Sequence, residues 1–200
     1  GEQFYFGLDG NTFNLDILGL GESDAVVYWE DHRFGTSSRR TYGTIATSSG
    51  SQDLNGTLFS NHPDQFKPVL LEGEENFFLG FGSDLEGEPA VYYQLLDDNL
   101  NLADGSHSVY QSGTAQADPV IVMAEDGYTY YVFSDLRSFI DYDIYVQKYN
   151  SSGVAQWAEP VLAVDNFLAD DIPVSSVSHN NGGIIISYNS GDFTGTKIYM

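Results

Sequence analysis

Four aromatic residues, Trp29, Phe81, Phe133 and Tyr188, fall 52, 52 and 55 residues apart. A tyrosine keeps the same beat at Tyr42, Tyr92, Tyr145 and Tyr199, and a proline does so at Pro68, Pro119 and Pro173. Three residue types on one period mark a repeated supersecondary unit, and a period near fifty leaves few architectures open. Between these markers run short segments rich in Val, Ile, Tyr and Phe, bounded by Gly, Asn, Asp and Ser, the pattern of strands and turns. No apolar stripe of helical spacing is present.

The third copy is the clearest. Residues 119–124 are apolar, Glu125-Asp126-Gly127 is a turn signal, 128–133 is a second strand, 143–149 alternates, and 154–164 follows a turn at Asn150-Ser151-Ser152-Gly153. This is a four-stranded antiparallel meander. The second copy offers strands at 69–72, 77–81, 90–96 and 100–103, the first at 13–18, 25–29, 41–47 and 56–59, and the fourth at 174–178, 183–188 and 196–200. Sheets of four strands repeated at this period predict an all-β fold, a β-propeller of about four blades at 13–60, 66–104, 118–164 and 172–200 in one domain. The fourth blade is one strand short. Residues 3–6, Gln3-Phe4-Tyr5-Phe6, are a candidate to complete it and remove an open edge; the alternative is that these blades are part of a larger propeller or a subunit of a larger assembly.

Composition excludes several classes. Seven Lys and Arg stand against 29 Asp and Glu, a net charge of −22, so the clustered cations that nucleic acid requires are missing. There is no apolar run long enough for membrane insertion as a helix. Cysteine is absent, which removes disulfides, thiolate metal sites and cysteine nucleophiles. Aromatic residues make up 14% of the chain and are evenly spread, unlike a disordered acidic sequence.

The repeat itself reads aromatic-x-Asp-x-Arg, then Asp-Ile-Tyr-x-Gln-Lys, then a Gly turn and Trp. The third copy carries it as Phe133, Asp135, Arg137, Asp143 to Lys148, Gly153 and Trp157, while the first keeps Trp29, Asp31, Arg33 and Tyr42. This pattern resembles a blade repeat of secreted bacterial propellers, notably of Bacteroidota. The resemblance implies a propeller fold and a secreted or cell-surface location, and is nearly silent on activity.

Residues i and i+2 of a strand share a face, so Asp31 with Arg33 and Asp135 with Arg137 can form ion pairs, either as clasps within the repeat or as a ligand site. The connections between second and third strands and between blades fall on one end of the sheets. That end gathers Asp31, Arg33, Asp84, Glu86, Asp135, Arg137, Asp141 and Asp143 into an acidic candidate binding face, with Asp84-Leu85-Glu86 and Ser190-Gly191-Asp192 as the copies that lack the Arg. Asp141, Asp143, Asp170 and Asp171 are candidate ligands for Ca2+, a hard cation that takes oxygen donors. Asp97, Asn99 and Asn101 have the opening spacing of a calcium loop, but Leu102 and Ser108 stand where it needs Gly and Glu, which makes them a hairpin turn. No HxH, HExxH or GxSxG occurs, and the four histidines are scattered. Tyr110, Phe139, Tyr142 and Phe193 are the aromatics placed to meet a sugar at the surface. The expectation is therefore a non-enzymatic binding or scaffold module for a protein or glycan. The alternative is a propeller glycoside hydrolase or lyase that works through converging carboxylates.

Overall fold

A computed structural model describes residues 12–21, 23–35, 38–51, 56–74, 76–84, 87–192 and 195–199, with Ser51, Asp192 and 195–199 as backbone only. The chain is a β-propeller. The first blade comprises β1 (Thr12–Leu20), β2 (Asp24–Asp31), β3 (Arg40–Thr47) and two short outer strands, β4 (Gly50–Ser51) and β5 (Thr57–Leu58). The second holds β6 (Phe66–Glu72), β7 (Phe77–Ser83), β8 (Ala90–Leu96) and β9 (His107–Ser108). The third holds β10 (Gln116–Met123), β11 (Thr129–Asp135), β12 (Asp143–Tyr149) and β13 (Val161–Val164). The fourth holds β14 (Asp170–His179), β15 (Gly183–Asp192) and β16 (Gly195–Tyr199). All pairing is antiparallel within a blade. The candidate closing segment, residues 3–6, lies outside the described residues.

Two edges differ from the sequence pattern. The last strand of the second blade is at His107–Ser108 rather than 100–103. Leu100 adopts a left-handed φ of 62°, and Asp97 Oδ1 accepts from Asn99 N and Asn101 N at 2.9 and 2.8 Å, so this apolar stretch closes a turn instead of extending. In the third blade only Val161–Val164 pairs as a strand, since Gln147 Nε2 donates to Trp157 O at 3.1 Å and holds residues near 157 as a loop.

In the second, third and fourth copies the period-52 aromatic packs back on the preceding blade. Phe81 joins Val26, Tyr28 and Leu79 between the first and second blades. Phe133 joins Phe78 and Tyr131 between the second and third, and Tyr188 packs on Val132 and Ile144 between the third and fourth. The fit is close enough to dictate neighbours. A Cβ on Gly82 would fall 2.3 Å from the Phe66 ring, so this strand position has to be glycine for the second blade to seat its inner strand.

Blades are joined by a recurring hydrogen bond at the entry to β6, β10 and β14. Gln65 N donates to Arg39 O at 2.9 Å, Gln116 N to Pro89 O at 2.6 Å and Asp171 N to Tyr142 O at 2.7 Å. The two glutamine side chains add to it. Gln65 Oε1 accepts from Thr41 N at 2.9 Å, and its Nε2 donates to Ser60 O at 3.0 Å. Gln116 Oε1 accepts from Val91 N at 3.1 Å, while its Nε2 donates to Tyr110 O and Asp135 Oδ2, each at 2.9 Å. Both glutamines are fully buried. Gln116→Ala would strand these groups in a dry interface, with a loss of about 2–4 kcal/mol expected in chemical unfolding. A loss under about 0.5 kcal/mol would show that the bridge is dispensable.

Candidate active site at the propeller axis

The inner strands β1, β6, β10 and β14 stand in order around one axis, β10 packing against both β6 and β14, and β6 against β1. Each is irregular at its entry. A bulge interrupts the pairing after Phe13, after Phe66, after Ala117 and after Pro173. In three of the four, a non-glycine residue takes a left-handed conformation there: Asn14 at φ 47°, Lys67 at 49° and Asp118 at 54°. Such backbone costs of order 1–3 kcal/mol apiece, and it recurs where a surrounding structure holds it for a purpose. Here it turns three polar residues to the mouth of the axis. Pro68 and Pro119 follow directly, and their fixed φ returns the chain to strand.

The result is a cavity of about 330 Å³, large enough for a sugar unit, lined by Asn14 to Asp16, Lys67 to Val69, Asp118 to Val120, and Pro173 with Val174. Its polar groups are individually held. Asp16 Oδ2 accepts from Tyr28 OH at 3.0 Å, and Asp16 Oδ1 from Ile17 N at 2.8 Å. Burial, and then the Asp16 charge, hold the Tyr28 phenol far above its ordinary pKa, so it stays a donor. Glu30 is buried beneath the rim and fixes two blades together. It accepts from Asn14 Nδ2 at 2.7 Å and from Lys67 N at 3.0 Å, with His32 Nε2 2.5 Å from its other oxygen. Lys67 Nζ forms an ion pair with Asp118. Two carboxylates, an ammonium and an amide thus face one pocket from three blades. This set can bind hydroxyl groups and move protons.

The residues singled out from the sequence lie at the same end of the sheets but further from the axis. Asp31 is buried and accepts from Trp29 Nε1, Arg33 N and Arg33 Nη2 at 3.2, 2.8 and 2.6 Å, and Arg33 in turn lies over the Tyr42 ring. Asp135 is likewise buried, accepting from Thr114 Oγ1, Gln116 Nε2 and Arg137 Nη2, with Arg137 packed 3.7 Å over Tyr145. Both pairs are clasps within the repeat. Asp84 is not left unpaired by the missing Arg, because Arg39 reaches it at 3.0 Å. Arg39 also grips Asp64 with two hydrogen bonds; burial pushes that carboxyl up, but these bonds, a hydrogen bond with Asp84 and the Arg39 charge together lower it to about 2. Glu86 lies outside the described residues, as does Phe193. Asp141, Asp143 and Asp171 are buried at the third-to-fourth blade junction, and exposed Asp170 accepts from Tyr142 N. Among the described residues, no three metal-ligating side chains form a ready-made cage for Ca2+. Asn14, Asp16, Glu30, Lys67 and Asp118 were not singled out. The signal for two of them was present as the polar residue before Pro68 and before Pro119.

No family model matches the chain, and no curated protein is similar to it in sequence. Solved structures do match. An endo-arabinase from Bacteroides thetaiotaomicron superposes with a TM-score of 0.62 at 16% identity, over 98% of this chain and 76% of that one. A polysaccharide lyase that cleaves ulvan gives 0.60 at 13% identity, over 92% of this chain and 52% of that one. An α-L-arabinofuranosidase from Lactobacillus brevis gives 0.57 at 11% identity, over 92% and 66%. Against the last two, the chain spans about two thirds of the matched protein or less. The expectation of a non-enzymatic binding or scaffold module does not survive this finding, because these three structures, which share the fold over nearly the whole chain, are two glycoside hydrolases and a polysaccharide lyase.

Proposed function

We propose that this chain is a polysaccharide-cleaving propeller of the glycoside hydrolase or lyase type, acting at the axial cavity. The observation that carries the reading is the convergence there of unlike polar residues at equivalent positions of three blades, Asn14, Lys67 and Asp118, each on strained backbone. Residues kept only for the fold would repeat from blade to blade, as the Gln65 and Gln116 bridges do. The likeness of the fold to arabinan-, xylan- and ulvan-cleaving enzymes supports the substrate class.

Hydrolysis of a glycosidic bond needs one carboxyl group to protonate the leaving oxygen and a second carboxylate to activate water or attack the sugar. Asp118 faces the Lys67 ammonium, which suits the anionic role. Asp16, held by the Tyr28 hydroxyl and the Ile17 amide, supplies the second carboxyl group. Asn14, fixed by Glu30, is placed to bind a sugar hydroxyl. Proline and valine on the other walls present apolar surface to the sugar ring.

Incubation of the protein with arabinan, xylan and ulvan is expected to release reducing ends from at least one of them, with unsaturated uronate absorbance marking lyase action. Asp118→Asn and Asp16→Asn should each lower kcat by about 10²–10⁴-fold while leaving the melting temperature nearly unchanged. No product from any of the three polymers, or full activity in both variants, would sink this reading.

A further inference from the structure

Away from the axis, the start of β12 presents a carboxylate that the fold does not explain. Asp143 is 3% exposed, and its Oδ1 is buried with no hydrogen-bond partner. Its neighbours are anions. Asp135 stands directly across the ladder from it, a like-charge cross-strand pair of the destabilising kind. Ile144 pairs with Val164, which sets Asp165 beside Asp143 at the end of the ladder between β12 and β13, and Asp141 and Asp171 add to the same field. Three of these four are already satisfied: Asp135 by Gln116, Thr114 and Arg137, Asp141 by Ala169 N at 3.0 Å, and Asp171 by Asn166 N and Nδ2, each at 2.9 Å. Asp165 is exposed.

The repeat gives an internal control. At the same cross-strand position the first blade has Arg40 opposite Asp31, and the second has Ala90 opposite Ser83. A cation or a methyl group therefore fits the site, and the blade does not need a carboxylate there. A buried anion without a partner, set among other anions, is balanced by a bound proton or a bound cation.

We propose that Asp143 and Asp165 hold a divalent cation, Ca2+, at the junction of the third and fourth blades. All the donors are hard oxygens, which suit Ca2+ over softer metals. No three acidic side chains converge among the described residues, so the ion keeps water in its shell. Its affinity then falls on the order of 10⁻⁴–10⁻³ M, as in weak extracellular sites.

The test is thermal unfolding of the chelator-treated protein with and without about 5 mM Ca2+, roughly ten times the dissociation constant. Sodium chloride of equal ionic strength is the control. At pH 7.5, about 3–6 °C of stabilisation is expected in the parent protein. Less than about 1 °C is expected in Asp143→Asn and in Asp165→Asn, the second an exposed position whose change spares the core. No calcium-specific shift, or equal shifts in parent and variants from diffuse screening of the net charge, overturns the site.

Discussion

The side chains of Gln65 and Gln116 reach back from the inner strand of one blade to the third strand of the blade before it. The amides they accept from, Thr41 N and Val91 N, sit at strand starts that would otherwise end in a dry crevice between sheets. An unmet amide in such a place costs as much as a core methyl group or more. The bridge therefore fixes where β6 and β10 begin, and the left-handed residue follows two positions later. Proline comes next and commits the chain to the strand. The entry geometry of the axis is in this sense an outcome of blade-to-blade hydrogen bonding, and the cavity inherits its shape from it.

The architecture was largely legible because it is repetitive. One misread residue matters little when three copies vote, and the aromatics at Phe81, Phe133 and Tyr188 each pack between neighbouring blades. The edges were less legible. Leu100 reads as a strand residue, yet the carboxylate of Asp97 organises a turn around it, and a local side-chain-to-backbone bond overrode the apolar pattern. The candidate site was hardly legible at all. Asp31 and Asp135 drew attention because they recur with an arginine, and that recurrence is the mark of a structural clasp. Asp16 and Asp118 do not match each other in register, and Glu30 looks like any acidic residue at a strand end. Only the three-dimensional entry of four strands to one axis brings them together.

The fourth blade sharpens the contrast between construction and chemistry. Asp171 keeps the backbone half of the bridge, donating to Tyr142 O, but its side chain turns to Asn166 instead of to the blade before it. The residue ahead of its proline is Ile172, where the second and third blades have Lys67 and Asp118. The wall of the cavity on this side is consequently apolar, formed by Pro173 and Val174. A pocket polar on three sides and apolar on the fourth is oriented, and a ring of hydroxyls with a hydrophobic face can enter it in few ways.

Charge follows the same logic. With 29 acidic residues to seven Lys and Arg, a cation is a scarce component, and most of the arginines and lysines are spent on particular carboxylates. Arg33 and Arg137 close the clasps, Arg39 joins Asp64 to Asp84, Lys148 meets Asp126, and Lys67 meets Asp118. Four of these five serve loops or turns, where a lost pair would leave a partly buried anion facing others. Lys67 alone among them stands at the axis. Its backbone amide is tied to Glu30 and its ammonium to Asp118, so it couples the first, second and third blades at the point where the proposed chemistry takes place. In a chain that repels polyanions as a whole, this one fixed ammonium lets a carboxylate approach the cavity without meeting only like charge.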